Sequence, residues 1–219
     1  MKYPNSRLQV FTRAPVAGAV KTRLQPLLGE AGCAEFHQHL VHHCLDTLIP
    51  AQLCPLELWC TPDYTDPFFT ACRQQYPLSL HTQTGEDLGQ RMHAAITSAL
   101  QDAAATVLVG TDCPALSVAD IDTALRVLQA DTDIVLGPAG DGGYYLIGMR
   151  EPCASLFSDI AWGTASVLDT TLARITSAGK HYHLLEQHDD IDTADDYRRF
   201  MNTGGLLQER VETVLQSRN

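Results

Sequence analysis

The sequence predicts an open α/β fold, and three observations predict it. Short runs rich in β-formers alternate along the chain with segments whose apolar residues recur at helical spacing. One such run, Val107-Leu108-Val109, is apolar throughout and passes through Gly110-Thr111 into Asp112, after which Cys113-Pro114 turns the chain away. The stretches following the runs hold cations, glycines and acids, the residue types found where open α/β sheets bind ligands. A buried strand ending in a carboxylate sets a fixed negative charge at the sheet rim, so Asp112 is the first candidate ligand for a divalent metal. The plain alternative is a turn aspartate bonding nearby amides.

Residues 8–12 read as the first strand. The loop after it holds Arg13, Lys21 and Arg23 within eleven positions, punctuated by Gly18, Pro15 and Pro26. Arg forks match phosphate oxygens and Lys adds a point charge, so polyphosphate is the natural guest; a solvated basic turn is the alternative. Residues 35–48 are helical in period, with Phe36, Leu40, Val41, Cys44, Leu45 and Leu48 as the apolar stripe. His39, His42 and His43 share the other face with Glu35 and Asp46. His39 and His43 have the spacing that can share zinc, but no third ligand stands near in sequence, which favours an ordinary polar face.

Strands follow at residues 56–61 and 78–82, with a short helix between them, interrupted near Pro67. Gly85, Asp87 and Gly89 then open a helix whose inward stripe includes Met92, Ala95 and Ile96. Two glycines at a strand-to-helix junction permit close backbone approach to a planar ligand, although helix capping explains Gly85 and Asp87 equally well. Arg91 could reach that ligand or pair with an acid.

Beyond Asp112, Ser117 with Asp120 makes a helix cap, and residues 133–138 are another strand. Asp141-Gly142-Gly143 precedes the aromatic pair Tyr144-Tyr145, which suggests an acceptor or sugar pocket containing Asp141, against the alternative of a tight hairpin turn. Trp162, next to Gly163 and before a helix, could stack on a sugar or base or simply plug the core. Residues 181–185 are the last strand. The acidic run 188–196 then enters a helix capped by Thr193, where Asp195 and Asp196 suit the helix dipole and Asp190 and Asp192 need another explanation. Magnesium takes one or two protein carboxylates and completes its shell with water and phosphate, and Asp112 with Asp192 would supply that pair.

With 15 Lys and Arg against 26 Asp and Glu, the net charge of −11 disfavours a nucleic-acid partner, so any phosphate site must be local. No apolar run reaches membrane-spanning length and the start has no signal-peptide core. Seven cysteines in no metal-ligand spacing suit reduced, buried thiols in a cytoplasmic protein. A chain of 219 residues without a recognisable linker is expected to form one domain over 1–219.

Five segments together carry a resemblance: Arg13 with Lys21-Thr22-Arg23-Leu24; Gly85-x-Asp87-Leu88-Gly89-x-Arg91-Met92; Gly110-Thr111-Asp112-Cys113-Pro114; Asp141-Gly142-Gly143-Tyr144-Tyr145; and Asp192-Thr193-x-x-Asp196. From residue 8 to about 200 the chain resembles the bacterial family DUF2064, grouped with glycosyltransferases of the GT-A (nucleotide-diphospho-sugar transferase) fold. The resemblance implies a mixed, mainly parallel sheet between helices, with a nucleotide half over about 1–115 and an acceptor half over about 116–219. It also implies a role for each matching residue. Arg13, Lys21 and Arg23 would meet phosphate; Gly85, Asp87, Gly89 and Thr111 would border the nucleotide. Gly142, Gly143, Tyr144 and Trp162 would border the acceptor, with Asp141 as its base. Asp112 and Asp192 would hold Mg2+ or Mn2+.

The expected activity is metal-dependent glycosyl transfer from a nucleotide-diphospho-sugar to a small-molecule acceptor. Two features pull elsewhere. Cys113-Pro114 stands where an Asp-x-Asp motif would place a second acid, and Lys21-Thr22-Arg23-Leu24-x-Pro26 resembles the loop of nucleotidyltransferases, including phospholactate guanylyltransferases. Nucleotidyl transfer from an NTP with pyrophosphate release is therefore the alternative, and a non-catalytic nucleotide-binding module a second one.

Overall fold

The structure, a computed structural model, describes residues 1–203. Strands β1 (Ser6–Arg13), β2 (Leu56–Thr61), β3 (Ser79–Thr82), β4 (Ala105–Val109), β5 (Ile134–Pro138), β6 (Tyr144–Met149) and β7 (Tyr182–Leu184) form one sheet in the order β3-β2-β1-β4-β6-β5-β7. Helices α1 (Gln25–Leu48), α2 (Pro67–Gln75), α3 (Leu88–Ala99), α4 (Val118–Leu128), α5 (Val167–Ser177) and α6 (Ala194–Thr203) complete the α/β architecture. Every strand pairing is parallel except those of β6, which runs antiparallel to β4 and β5. This is the mixed, mainly parallel sheet between helices that the resemblance implies.

The apolar pattern explains the layering. On β4, Val107 and Val109 point into a cluster with Val41 and Leu45 of α1, Phe69 of α2, and Ile121 and Leu125 of α4. Leu108, one residue out of phase, points to the opposite face, with Met92 and Ile96 of α3 and Ile175 of α5. A strand buried on both faces needs apolar residues at every position, and all five of β4 are buried. A third cluster joins Leu24, Phe36 and Leu40 to Ile191 and Tyr197, bringing the start of α1 against the late acidic turn. Burying a side chain such as Phe36, which is 2% exposed, contributes about 2–3 kcal/mol.

The reversal at β6 decides where the loops go. Because β5 and β6 are joined by the turn around Asp141, with Ala139 N donating to Gly143 O, that turn falls at the carboxyl end of β5. The carboxyl ends of the other parallel strands lie at the same rim. So the segments after β1, β3, β4, β5 and β7 gather along one edge of the sheet.

Two local expectations are corrected. Pro67 does not interrupt a helix but opens α2, with Asp66 accepting from Phe68 N; proline suits a first turn because the N–H it lacks has no partner there. The helix ending at Leu48 begins earlier than its periodicity suggested, at Gln25, with a break at Gly29 (φ 67°, ψ 171°). Among the described residues no helix is long and apolar enough to cross a membrane.

Candidate functional site

The basic loop leaves β1 at Arg13 and turns through Gly18. Lys21 adopts a left-handed backbone (φ 48°, ψ 39°), which costs a non-glycine residue about 1 kcal/mol. The next turn, Thr22–Leu24, drops Leu24 into the cluster with Phe36 and Ile191, anchoring the loop. This geometry sends the Lys21 side chain inward, where it is only 3% exposed. Its Nζ lies 2.6 Å from Asp112 Oδ1 and 3.0 Å from Asp192 Oδ1, and donates to Ile191 O at 2.7 Å. Arg23 is 69% exposed, with its Nη1 3.9 Å from Asp192 Oδ2.

The acids come from opposite ends of the sequence. Asp112 follows β4, and its backbone oxygen accepts from Ile191 N at 2.9 Å, which stitches the late turn to the end of that strand. Burial opposes both charges of the Lys21–Asp112 pair, but mutual attraction wins. The ammonium stays above its ordinary pKa through Asp112 and then Asp192, and the Asp112 carboxyl is held below the usual range by Lys21. Asp190 behaves oppositely. Burial first, then the charge of Asp112, with Asp141 and Asp192 adding, pushes its carboxyl up to about 7.

A cavity of about 330 Å³ opens at this point, lined by Arg13, Ala19, Val20, Lys21, Thr22, Arg23, His37, Asp112 and Asp192. The three cations and both acids expected at a phosphate-and-metal site therefore share one cavity. Two residues of the neighbourhood were missed by sequence reasoning. His37, 5% exposed, lines the cavity and donates from Nε2 to Arg13 O at 3.0 Å, bracing the start of the basic loop. Burial lowers its pKa, so the imidazole is neutral. Asp190 gave a signal, an acid outside the helix it precedes, but no position.

The acidic turn is braced from behind. His188 Nε2 lies 3.2 Å from Asp120 Oδ2, both side chains largely buried, and the His188 ring lies 4.8 Å from that of Tyr145. Asp120 also completes the expected capping box of α4 with Ser117. Thr193 and Asp196 cap α6 in the same reciprocal way.

The remaining predicted residues are not among those lining the cavity. Asp87 caps α3 through Gln90 N, and Arg91 Nε donates to Gly85 O. Gly85 (φ 137°) sits against Gln90, where an added Cβ would approach within 2.7 Å. At Gly89 the close approach is to protein: a Cβ would lie 2.5 Å from Phe157 O and 2.7 Å from the Trp162 ring. Trp162 thus packs on α3 and edge-on to Tyr144. Thr111 is buried. Asp141 Oδ1 accepts from Gly143 N in the hairpin turn, and Gly142 (φ 88°) packs against Ala165, where a Cβ would meet Ala165 O at 2.2 Å. The glycine signals are thus explained by turn and packing geometry. The histidine face of α1 is likewise occupied by protein: His43 Nε2 donates to Pro114 O and His42 meets the Tyr76 hydroxyl.

Among the described residues, no three His, Cys, Asp or Glu side chains form a metal-holding group. The donor set nevertheless fits an ion of magnesium type, which needs only one or two protein carboxylates. Asp112, Asp141 and Asp192 add their negative charge to the burial that raises Asp190, and Lys21 offsets part of it.

Comparison with known proteins agrees with this architecture. The family described as "Uncharacterized protein conserved in bacteria (DUF2064)" matches residues 44–164. A protein from Desulfovibrio desulfuricans G20, described provisionally as a nucleotide-diphospho-sugar transferase, is 31% identical, with a TM-score of 0.83 over 91% of this chain and 87% of that one. The fold also matches CMP:2-keto-3-deoxy-manno-octonic acid synthetase complexed with CTP (12% identity, TM-score 0.55, 90% and 96% of the two chains). It matches 4-diphosphocytidyl-2C-methyl-D-erythritol synthase from Anaerococcus prevotii DSM 20548 as well (9%, 0.58, 90% and 96%). No curated protein sequence matches the chain.

Proposed function

This chain belongs to DUF2064, a family of uncharacterized proteins conserved in bacteria, and from that membership and the cavity geometry we propose that it is a nucleotidyltransferase joining an NTP to a phosphorylated small-molecule acceptor. The observation that carries this reading is the convergence of Arg13, Lys21 and Arg23 with Asp112 and Asp192 on one cavity. In the reaction an acceptor phosphate oxygen bonds to the α-phosphorus, the bond to the β-phosphate oxygen breaks, and pyrophosphate leaves with the electron pair. Arg13 and Arg23 face the charge that gathers on the departing group, where fixed cations in a partly enclosed site act more strongly than in water. An acceptor already ionised needs no protein base, and none of the cavity residues is set to be one: Asp112 is paired with Lys21, and His37 is buried on Arg13.

Mg2+ or Mn2+, held by Asp112 with Asp192 or Asp190, would neutralise phosphate oxygens and fix their geometry. The nucleotide would lie over the half around residues 1–115 and the acceptor over the half beyond, where Asp141, Gly143 and Tyr144 stand. Six of the seven cysteines are buried and all are free thiols, which supports a reducing compartment such as the cytoplasm.

A second reading, glycosyl transfer from a nucleotide-diphospho-sugar, is favoured by the description of the Desulfovibrio desulfuricans relative. Asp141 would then serve as the acceptor's base, through the oxygen not engaged by Gly143 N. Product analysis separates the readings. Purified protein is incubated with Mg2+, a panel of NTPs and sugar phosphates, and in parallel with nucleotide sugars and acceptors. Pyrophosphate release is expected. Acceptor-dependent release of a nucleoside diphosphate from a nucleotide sugar would replace the first reading by the second, and nucleotide affinity without any product would leave a binding module.

A further inference from the structure

The Lys21 ammonium has three N–H donors, and three acceptors surround it: Asp112 Oδ1 at 2.6 Å, Asp192 Oδ1 at 3.0 Å and Ile191 O at 2.7 Å. At 3% exposure, with hydrogen bonds to Ile191 O and Asp192 Oδ1 and its charge paired with Asp112, the ammonium is turned to the acids, although it lines the cavity where the phosphate would sit. One ammonium cannot serve both partners at once. Its single charge also leaves the acids under-compensated, because Arg23 reaches Asp192 only at 3.9 Å and is mostly in solvent.

We propose that Lys21 is a built-in stand-in for the divalent cation: in the ligand-free protein it occupies the carboxylates of Asp112 and Asp192, and it yields them when the ion binds, freeing its ammonium for the nucleotide's phosphates. This rests on the phosphate-and-cation reading of the cavity given above and adds an order of events. A doubly charged ion on the same carboxylates offsets more of their charge than an ammonium does. The displaced ammonium then turns to the anion entering beside Arg13 and Arg23. A nucleotide arriving without the ion meets two carboxylates and a lysine already engaged, so free NTP binds weakly and the ion binds first or together with it. The left-handed backbone at Lys21 fits such a device, because it aims the side chain at the acids from a loop rather than locking it into a helix.

Two measurements on the full-length protein test this without reference to turnover. Mn2+ binding, followed by calorimetry in the absence of nucleotide, is compared for wild type and Lys21→Met; the variant is expected to bind about tenfold more tightly, having no competing ammonium. In wild-type protein, acylation of Lys21 by a water-soluble N-hydroxysuccinimide ester, read by peptide mass spectrometry, is expected to rise severalfold when Mg2+ is added to saturation. Equal or weaker Mn2+ binding by the variant overturns the stand-in role. So does a Lys21 that stays protected in Mg2+-saturated wild type, which decides the matter alone if Lys21→Met fails to fold. If neither protein binds Mn2+, the cation site and the stand-in fall together. If Mn2+ binds and Lys21 is released but no pyrophosphate forms from any NTP, the nucleotidyl reading fails and the stand-in survives.

Discussion

Asp112→Asn takes one charged acceptor from the Lys21 ammonium and the strand-end charge from the cavity. Its kcat/KM for pyrophosphate release is expected to fall at least ~10²-fold, the usual scale for losing one charged stabilising group. Denaturant melts should show only about 1 kcal/mol of lost stability, because the Asp112 side chain is 43% exposed and solvent screens the pair. Asp190 governs a different pH range. Its carboxyl lies near 7 in the folded protein, against 3.8 ordinarily, so the folded state holds a proton that the unfolded chain has released between those values. A raised carboxyl therefore removes stability as pH climbs from about 4 to 7 and removes no more above that. In chelator, the Tm should drop between pH 5 and pH 8, and Asp190→Asn should flatten that slope and melt higher at pH 8. Residues whose chemistry could be read from type and position alone, Asp112 after its strand and the three cations after theirs, do meet at one cavity. His37 was missed although it stands four before Val41, on the apolar stripe itself. A polar residue on such a stripe reads the same whether it braces a loop or lies at the edge of the core.

Elements explain what the glycines do. Gly89→Ala forces a Cβ against Phe157 O, a backbone atom that cannot swing aside, so it should cost about 1–3 kcal/mol and lower the Tm by roughly 3–8 °C in a thermal melt. A glycine beside a helix start looks the same in sequence whether a base or a tryptophan takes the space, and only the packing of Trp162 on α3 distinguishes them. The turn after β7 illustrates the converse. Nothing in its sequence linked His188 to Asp120, which lies 68 positions earlier, yet that pair ties the start of α4 to the turn bearing Asp190 and Asp192. His188→Gln should weaken Mn2+ binding about tenfold in calorimetry while shifting the Tm by only a few degrees.

For the whole molecule, alternation of strand and helix made the fold class readable, and the capping signals at Ser117 and Thr193 fell where expected. The reversal at β6 was not visible, because strand direction follows from which neighbours pair, and no local residue pattern encodes that. Neither was the ranking of chemistries: sugar transfer ranks first on resemblance, while the loop Lys21-Thr22-Arg23-Leu24-x-Pro26 and the Cys113-Pro114 after Asp112 lean toward nucleotidyl transfer, and the cavity suits the phosphates of either. Ligand linkage gives a global check. At about 100 times its Kd, an NTP with Mg2+ should add ~2.7 kcal/mol and raise the Tm by about 5–10 °C in differential scanning fluorimetry, and NTP in chelator should add far less. The bond from Lys21 to Ile191 O spans 170 positions of sequence. A chain still emerging from the ribosome, with β1 through β6 already outside, would own the basic loop and Asp112 but lack the turn that holds them together. Competence to bind nucleotide should then arrive abruptly, only once the stretch through residue 192 is released, and stalled nascent chains of increasing length would display that threshold.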